Sequence, residues 1–357
     1  MKIEKILKKV TAAVMLTGVI MLGITGCGSE GSGTSENRDK TSSGNEVKTE
    51  DNGELKTFRI GAGGTDGNES MELGNLAYDS GILEEELNKV GYTAEVIAFG
   101  TGGPEINAAL ASGDIDAAIL GDFPTFTSKS NGIDTTVVAL TNSANQYGIV
   151  VSDDIKEPKD LEGKKVIVPT GTVAQYYWEK FIEANSLDES KIEIINAASD
   201  AVSLLQTGDA DGYAITKYIA AYYEETGIGK ILESDAQVNG STTFVFEVKS
   251  DILKENEELG VAINKALIRT YERAVANPDE MFAALKSDNI SETAWRTSYS
   301  FDETLSFLSP EITDDVLKYY NDLNEWLYSH SIITEKVDVD SLFDTSYYAK
   351  AKEELNK

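Results

Sequence analysis

Leu110-Ala-Ser112-Gly113-Asp114-Ile-Asp116-Ala117 recurs further along the chain as Leu205-Gln-Thr207-Gly208-Asp209-Ala-Asp211-Gly212. Each copy ends an apolar helix, turns on a glycine and enters an apolar strand. Glycine suits the left-handed position that closes a helix, and the aspartates suit the turn that follows. These Asp pairs therefore read as turn residues and not as catalytic dyads. A second echo sets Arg59-Ile-Gly-Ala-Gly-Gly64-Thr65 against Val166-Ile-Val-Pro-Thr-Gly171-Thr172. Both read as a strand, a loop of small residues and a helix. Two such echoes in the same order imply two α/β units of one plan.

Outward from the echoes, short β-rich runs alternate with helical ones. Strands are expected at 58–62, 94–99, 117–120, 136–140, 148–151, 165–169, 192–196, 212–215 and 242–248. Val173, Tyr177, Phe181 and Ala184 share a helix face, as do Ile263, Leu267, Tyr271 and Ala274. Alternation of this kind predicts parallel βαβ units with helices covering the sheets. The fold class is thus α/β, with two Rossmann-like lobes joined by a two-stranded hinge. After Val248 the pattern turns helical, at 251–277, 278–286, 292–299 and 313–330, and this section is expected to pack on the first lobe. Lobe 1 is read as 55–144 with 243–357 and lobe 2 as 145–242. The crossings fall near 142–148 and 239–243. Ligands of open α/β sheets bind outside the carboxyl ends of the strands, so a cleft between the lobes is the expected site.

Composition narrows the chemistry. The 357 residues carry 61 acidic and 31 basic side chains, one Cys and one His, for a net charge of −30. Nothing in that balance neutralises phosphates, which argues against nucleic acid as a partner. A single Cys excludes a disulfide framework, and one His leaves little room for hydrolase triads or His-ligated metals. No cofactor is expected, nor a metal. Residues 1–26 have the layout of a secretory signal: Lys2, Lys5, Lys8 and Lys9, then an apolar run from Val10 to Ile24. Ile24-Thr25-Gly26-Cys27 resembles a bacterial lipobox, in which the cysteine is acylated and the chain is cut before it. A permanent membrane anchor is the alternative. Residues 27–54 are almost devoid of apolar side chains and read as a disordered tether.

Gly100-Thr-Gly-Gly-Pro-Glu-Ile-Asn-Ala-Ala-Leu-Ala-Ser-Gly-Asp-Ile-Asp-Ala, followed by Gly121-Asp-Phe-Pro124, resembles the solute-binding proteins of ABC importers for sulfonates, nitrate and taurine. Asp160-Leu-Glu-Gly-Lys-Lys-Val166 and Pro169-Thr-Gly-Thr172 extend the likeness, which runs from about Phe58 to Leu327. The resemblance implies the type II periplasmic-binding fold, an extracytoplasmic lipid-anchored monomer, and an ABC permease with its ATPase as partners. It implies a small anionic or zwitterionic organic solute, with nitrate, a thiamin-pyrimidine precursor or an aromatic acid as alternatives.

Helix N-termini offer free N–H groups and the positive end of the dipole, which suits an oxyanion. Thr101-Gly102-Gly103-Pro104 opens one helix and Thr170-Gly171-Thr172 another, so both are candidate anion contacts, with ordinary capping as the alternative. Gly64, Thr65 and Asp66 follow the first strand, and Asp122 and Phe123 follow the third. The two aspartates either face an ammonium group or cap turns. Tyr147, at the crossing, and Tyr213 are candidate aromatic contacts. Arg296 is a candidate two-pronged oxyanion contact. An enzyme is not expected: the only histidine, His330, reads as a helix-end side chain, and neither a Gly-x-Ser-x-Gly elbow nor a Walker-type loop is present. A surface sensor using the same cleft stays open.

Overall fold

The computed structural model describes residues 55–357 apart from 66, 67, 70, 71, 101, 198, 199, 235–237, 239 and 288. All of them belong to one compact unit, Asn52–Lys357. The expectations for the signal segment, Cys27, the tether, Asp66 and Thr101 lie outside the described residues, as does the Thr65 side chain.

The first stretch runs β1 (Lys56–Thr65), β2 (Asn68–Glu69), α1 (Leu73–Asp79), α2 (Ile82–Asn88), β3 (Tyr92–Phe99), α3 (Gly103–Ser112), β4 (Ala117–Gly121), α4 (Asp122–Ser130) and β5 (Thr135–Asn145). The middle stretch runs β6 (Tyr147–Val151), β7 (Lys165–Ile167), α5 (Val173–Ala184), β8 (Glu193–Ile195), α6 (Ala201–Thr207), β9 (Gly212–Thr216), α7 (Lys217–Glu225) and β10 (Lys230–Ile231). The last runs β11 (Thr242–Lys249), α8 (Ser250–Glu255), α9 (Glu257–Ala276), α10 (Pro278–Leu285), α11 (Glu292–Ser298), α12 (Asp314–Ser329) and α13 (Ser346–Leu355).

These strands form two sheets. One is ordered β2-β1-β4-β11-β5 with β3 also on β1, and the other β10-β6-β9-β7-β8. β1 runs parallel to β3 and β4, and β7 parallel to β8 and β9, as the alternating pattern predicts. The strands that carry the chain between sheets differ from that prediction. β11 is antiparallel to β4 and β5, and β6 antiparallel to β9 and β10. The cause is the connection: β5 passes into β6 through Gln146 alone, leaving no crossover helix to reverse the chain. Thr242 sits opposite Asn145, so the outgoing and returning crossings lie side by side as a two-stranded hinge.

The repeated turn is a scaffold in both sheets. Gly113 and Gly208 close α3 and α6 at φ 81° and 77°. Asp116 then exchanges backbone and side-chain bonds with the start of β1: its N–H donates to Arg59 O (2.8 Å) and its carboxylate accepts the Arg59 N–H (2.9 Å). Asp211 repeats both bonds with Lys165, at 2.8 and 2.9 Å. Ser112 donates to Asp114 and Thr207 to Asp209 in the same way.

Each sheet buries its own apolar side chains: Phe58, Ile60, Leu73, Phe246, Ile263 and Leu267 around the first, Val166, Val168, Trp178 and Phe181 around the second. A further cluster is shared, since Tyr176 of α5 packs with Phe123, Phe126, Tyr320 and Leu323 beside the first sheet. The expected helix over 251–277 is broken at Asn256 (φ −145°, ψ 89°), whose side-chain amide donates to Val90 O at 3.1 Å. β2, β10 and α13 are elements that the apolar periodicity did not predict.

Candidate functional site

The end of β1 and the starts of α3 and α4 meet at the carboxyl edge of the first sheet. A Cβ placed on Gly63 would stand 3.6 Å from the Gly102 Cα, and one on Gly103 only 2.6 Å from the Pro124 ring. Gly102 holds φ 67°, a conformation closed to most side chains. The end of β1 thus packs on the backbone that opens α3, and α3 on the Pro124 ring at the start of α4, because Gly63, Gly102 and Gly103 are small. At the start of α3, Pro104 has no N–H, while Glu105 and Ile106 donate to Gly102 O. Gly103 supplies the N–H with no partner inside the helix.

Asp122 opens α4 and is fully buried. Its carboxylate accepts the Phe123 N–H (2.8 Å), the Thr243 N–H (2.9 Å) and the Tyr319 hydroxyl (2.6 Å). It therefore fills the anion position at its own helix start and ties β11 and α12 to it. Burial pushes its carboxyl up to about 6 against the pull of these donors. Phe123 packs against Tyr176 and Trp326, with ring centroids 6.4 and 5.6 Å apart.

The loop before α5 differs from the expectation of free amides. Thr170 N–H donates to Asn196 Oδ1 (3.0 Å), Gly171 N–H to Gln175 Oε1 (2.8 Å), and Thr172 caps Ala174 N–H (3.2 Å) while its hydroxyl donates to Pro169 O (2.6 Å). Side-chain amides close to hand have taken the donors an oxyanion would use. Tyr213 packs its ring with Ile167, Ala201 and Ala210 inside the second sheet's covering. Tyr147 leads into β6 and lies 5.8 Å from the Tyr177 ring. Arg296 is turned toward α10: its guanidinium bonds Glu292 (2.7 Å) and Asp279 (2.8 Å) and covers the Phe282 ring. The spacing of Glu292 and Arg296, one helical turn apart, was the signal for that pairing.

A second group of residues meets where both sheets and a crossing come together, and sequence reasoning did not single it out. Glu72, just before α1, is 3% exposed. Its carboxylate accepts the Asn142 side-chain N–H, and Asn142 also donates to the Tyr299 hydroxyl at 3.0 Å. Among the described residues, Glu72 Oε1 is buried without a partner, and so is the Trp295 indole N–H. Burial pushes the Glu72 carboxyl up to about 7, with Asn142 and Tyr299 pulling the other way. Tyr299 stacks on Trp295, and Trp295 stacks on Tyr218 of α7, at 5.7 and 4.3 Å. That last pair joins the C-terminal section to the second sheet's body.

A second link runs from α12 to α5. Trp326 donates its indole N–H to Glu179 (2.8 Å), and His330 Nε2 lies 3.2 Å from the same carboxylate. His330 ends α12 as expected, stacked on Trp326 at 4.0 Å. A cavity of about 620 Å³ lies beside this link, lined by Tyr176, Lys180, Asp315 and Tyr319 among others. Another, of about 250 Å³, lies between α1, α9 and α10. Neither is lined by the glycine loops. Among the described residues no cluster of His, Cys, Asp and Glu could hold a metal, and no helix is long and apolar enough to cross a membrane.

The family model described as NMT1/THI5 like matches residues 95–281. The taurine-binding periplasmic protein of Escherichia coli K12 is 30% identical over 198 residues, covering 54% of this chain and 60% of that protein. The chain thus spans about three fifths of that relative's length. The putative aliphatic sulfonates-binding protein of Bacillus subtilis 168 is 25% identical over 351 residues, 96% of both chains. The solved structure of a putative periplasmic sulfonate-binding protein from Methylobacillus flagellatus KT superposes with a TM-score of 0.74 at 23% identity, covering 85% of this chain and 96% of that one.

Proposed function

The chain belongs to the NMT1/THI5-like family, and from that membership we propose that it is an extracytoplasmic solute-binding lipoprotein delivering a small sulfonate- or taurine-like solute to an ABC importer. The observation that carries the reading is the meeting of the β1 end with the starts of α3 and α4 at one sheet edge, beside the two-stranded hinge. Small residues there let an oxyanion approach backbone, and the Gly103 N–H with the α3 dipole offers it a positive end. Residues 55–144 with 243–357 act as one lobe and 145–242 as the other, closing about the crossings. Closure sheds the solute's water and presents one shape to the permease and its ATPase. The strongly acidic surface gives lipid head groups no hold, so acylation of Cys27 anchors the monomer.

Thermal denaturation in the presence of taurine, alkanesulfonates and nitrate tests the binding reading, since a ligand of the native state raises the midpoint. A sulfonate should do so, and Gly102→Val should abolish the shift by straining the loop. No shift with any of these solutes would sink the reading. Separately, Cys27→Ser should move the protein from the membrane fraction to the soluble one. Unchanged retention would make the apolar run at 10–24 the anchor.

A further inference from the structure

The Glu72 cluster is unusual for a protein interior. A buried carboxylate normally finds a cation or a full set of donors, because an uncompensated buried charge is costly. Among the described residues Glu72 has two neutral neighbours, Asn142 and Tyr299, and an oxygen with no partner. No Lys or Arg among the described residues pairs with it. The Trp295 indole N–H, one stacked ring away, is a buried donor with no acceptor among them. An orphan acceptor and an orphan donor that share a cluster and do not pair with each other are both placed for atoms from outside the chain. The location fits that role. Glu72 follows β2 at the sheet's carboxyl edge, Asn142 lies near the first crossing, and Tyr218 closes on Trp295 from the other body.

We propose that Glu72 is a specificity-determining residue that receives an ammonium group of the ligand, so that the solute carries a cationic nitrogen as well as its anionic end. This rests on the solute-binding reading and narrows it from sulfonates at large to aminosulfonates. A sulfonate without nitrogen brings no countercharge to Glu72 and leaves its oxygen unpaired.

The test is isothermal calorimetry on the mature chain with taurine, ethanesulfonate and ethanolamine. Taurine should bind at least roughly tenfold tighter than ethanesulfonate, the scale of a charge-assisted hydrogen bond. Glu72→Gln should bring the two sulfonates to within about threefold of each other, with an unchanged circular dichroism spectrum confirming its fold. Binding of taurine near pH 7 should also release protons, seen as buffer-dependent heats, because the arriving ammonium displaces the proton that burial keeps on Glu72. Glu72→Gln should show no such release. Equal affinities of the wild-type chain for taurine and ethanesulfonate would overturn the ammonium subsite and leave the sulfonate reading standing. Ethanolamine binding that depends on Glu72, with no binding of either sulfonate, would keep the subsite and overturn the sulfonate reading. Binding of none of the three would overturn both. The wild-type comparison needs no variant, so a misfolded Glu72→Gln would not shelter the proposal.

Discussion

The helix-to-strand turns of the two sheets agree down to single hydrogen bonds, while what the two bodies bury differs sharply. In both turns a glycine reverses the helix, a hydroxyl two residues before the first aspartate donates to it, and the second aspartate clasps the start of the neighbouring strand. Buried charged, amide and aliphatic hydroxyl side chains, by contrast, fall among the described residues at 72–145 and 242–324, with none from 146 to 241. The turn is a backbone solution that any βα unit with this connection can use, so it persists in both. Buried polar groups have to be justified one by one, and they collect in the body that carries the glycine loops and shares the crossings. The first body buries most of the polar side chains, and the second buries an apolar, aromatic interior.

If the two turns are equivalent braces, breaking them should have comparable but graded costs. Asp116 also accepts Nε and Nη2 of Arg59 at 2.9 and 2.7 Å and is mostly buried. Asp211 has the Lys165 N–H and a looser Lys164 contact at 3.6 Å. Asp116→Ala should therefore cost about 2–3 kcal/mol, and Asp211→Ala about 1–2 kcal/mol. Equilibrium urea unfolding of the two variants measures both. A negligible effect of Asp116→Ala would show that the echo is a resemblance of sequence and not a shared brace.

That brace was legible in advance because each of its parts is local. Glycine at a left-handed helix end and aspartates in the turn need no knowledge of the rest of the chain, and the apolar runs around them marked nine of the eleven described strands. Glu72 was not legible. Met71-Glu72-Leu73 reads like any amphipathic helix start, and only tertiary packing against Asn142 and Tyr299 buries its carboxylate. The α5 loop was half legible: Thr172 caps its helix, but that Asn196 and Gln175 would reach back to its amides depends on where β8 and α5 place them. Arg296 is a different case: its partner Glu292 stood one turn away in the sequence, where the pairing could be read directly.

The difference in burial can itself be titrated. Glu247 of β11 is fully buried; among the described residues it accepts only the Thr135 hydroxyl at 3.4 Å and leaves Oε1 unpartnered, and burial pushes its carboxyl up to about 8. In the unfolded chain the same group ionises near ~4.3. Between those values the unfolded state has released a proton that the folded state keeps, so stability falls as pH rises. The loss is absent below the unfolded value and complete above about 8. Glutamine keeps the shape and cannot ionise. Glu247→Gln should therefore match the wild type at pH 4 and exceed it by up to about 4–5 kcal/mol at pH 8, read from urea unfolding at the two pH values. The gain should reach the first body only, because no carboxylate is buried between 146 and 241 among the described residues. If Glu247→Gln is instead destabilised equally at both pH values, the carboxylate is held by its environment as an anion, and the first body's interior is more polar than its hydrogen bonds imply.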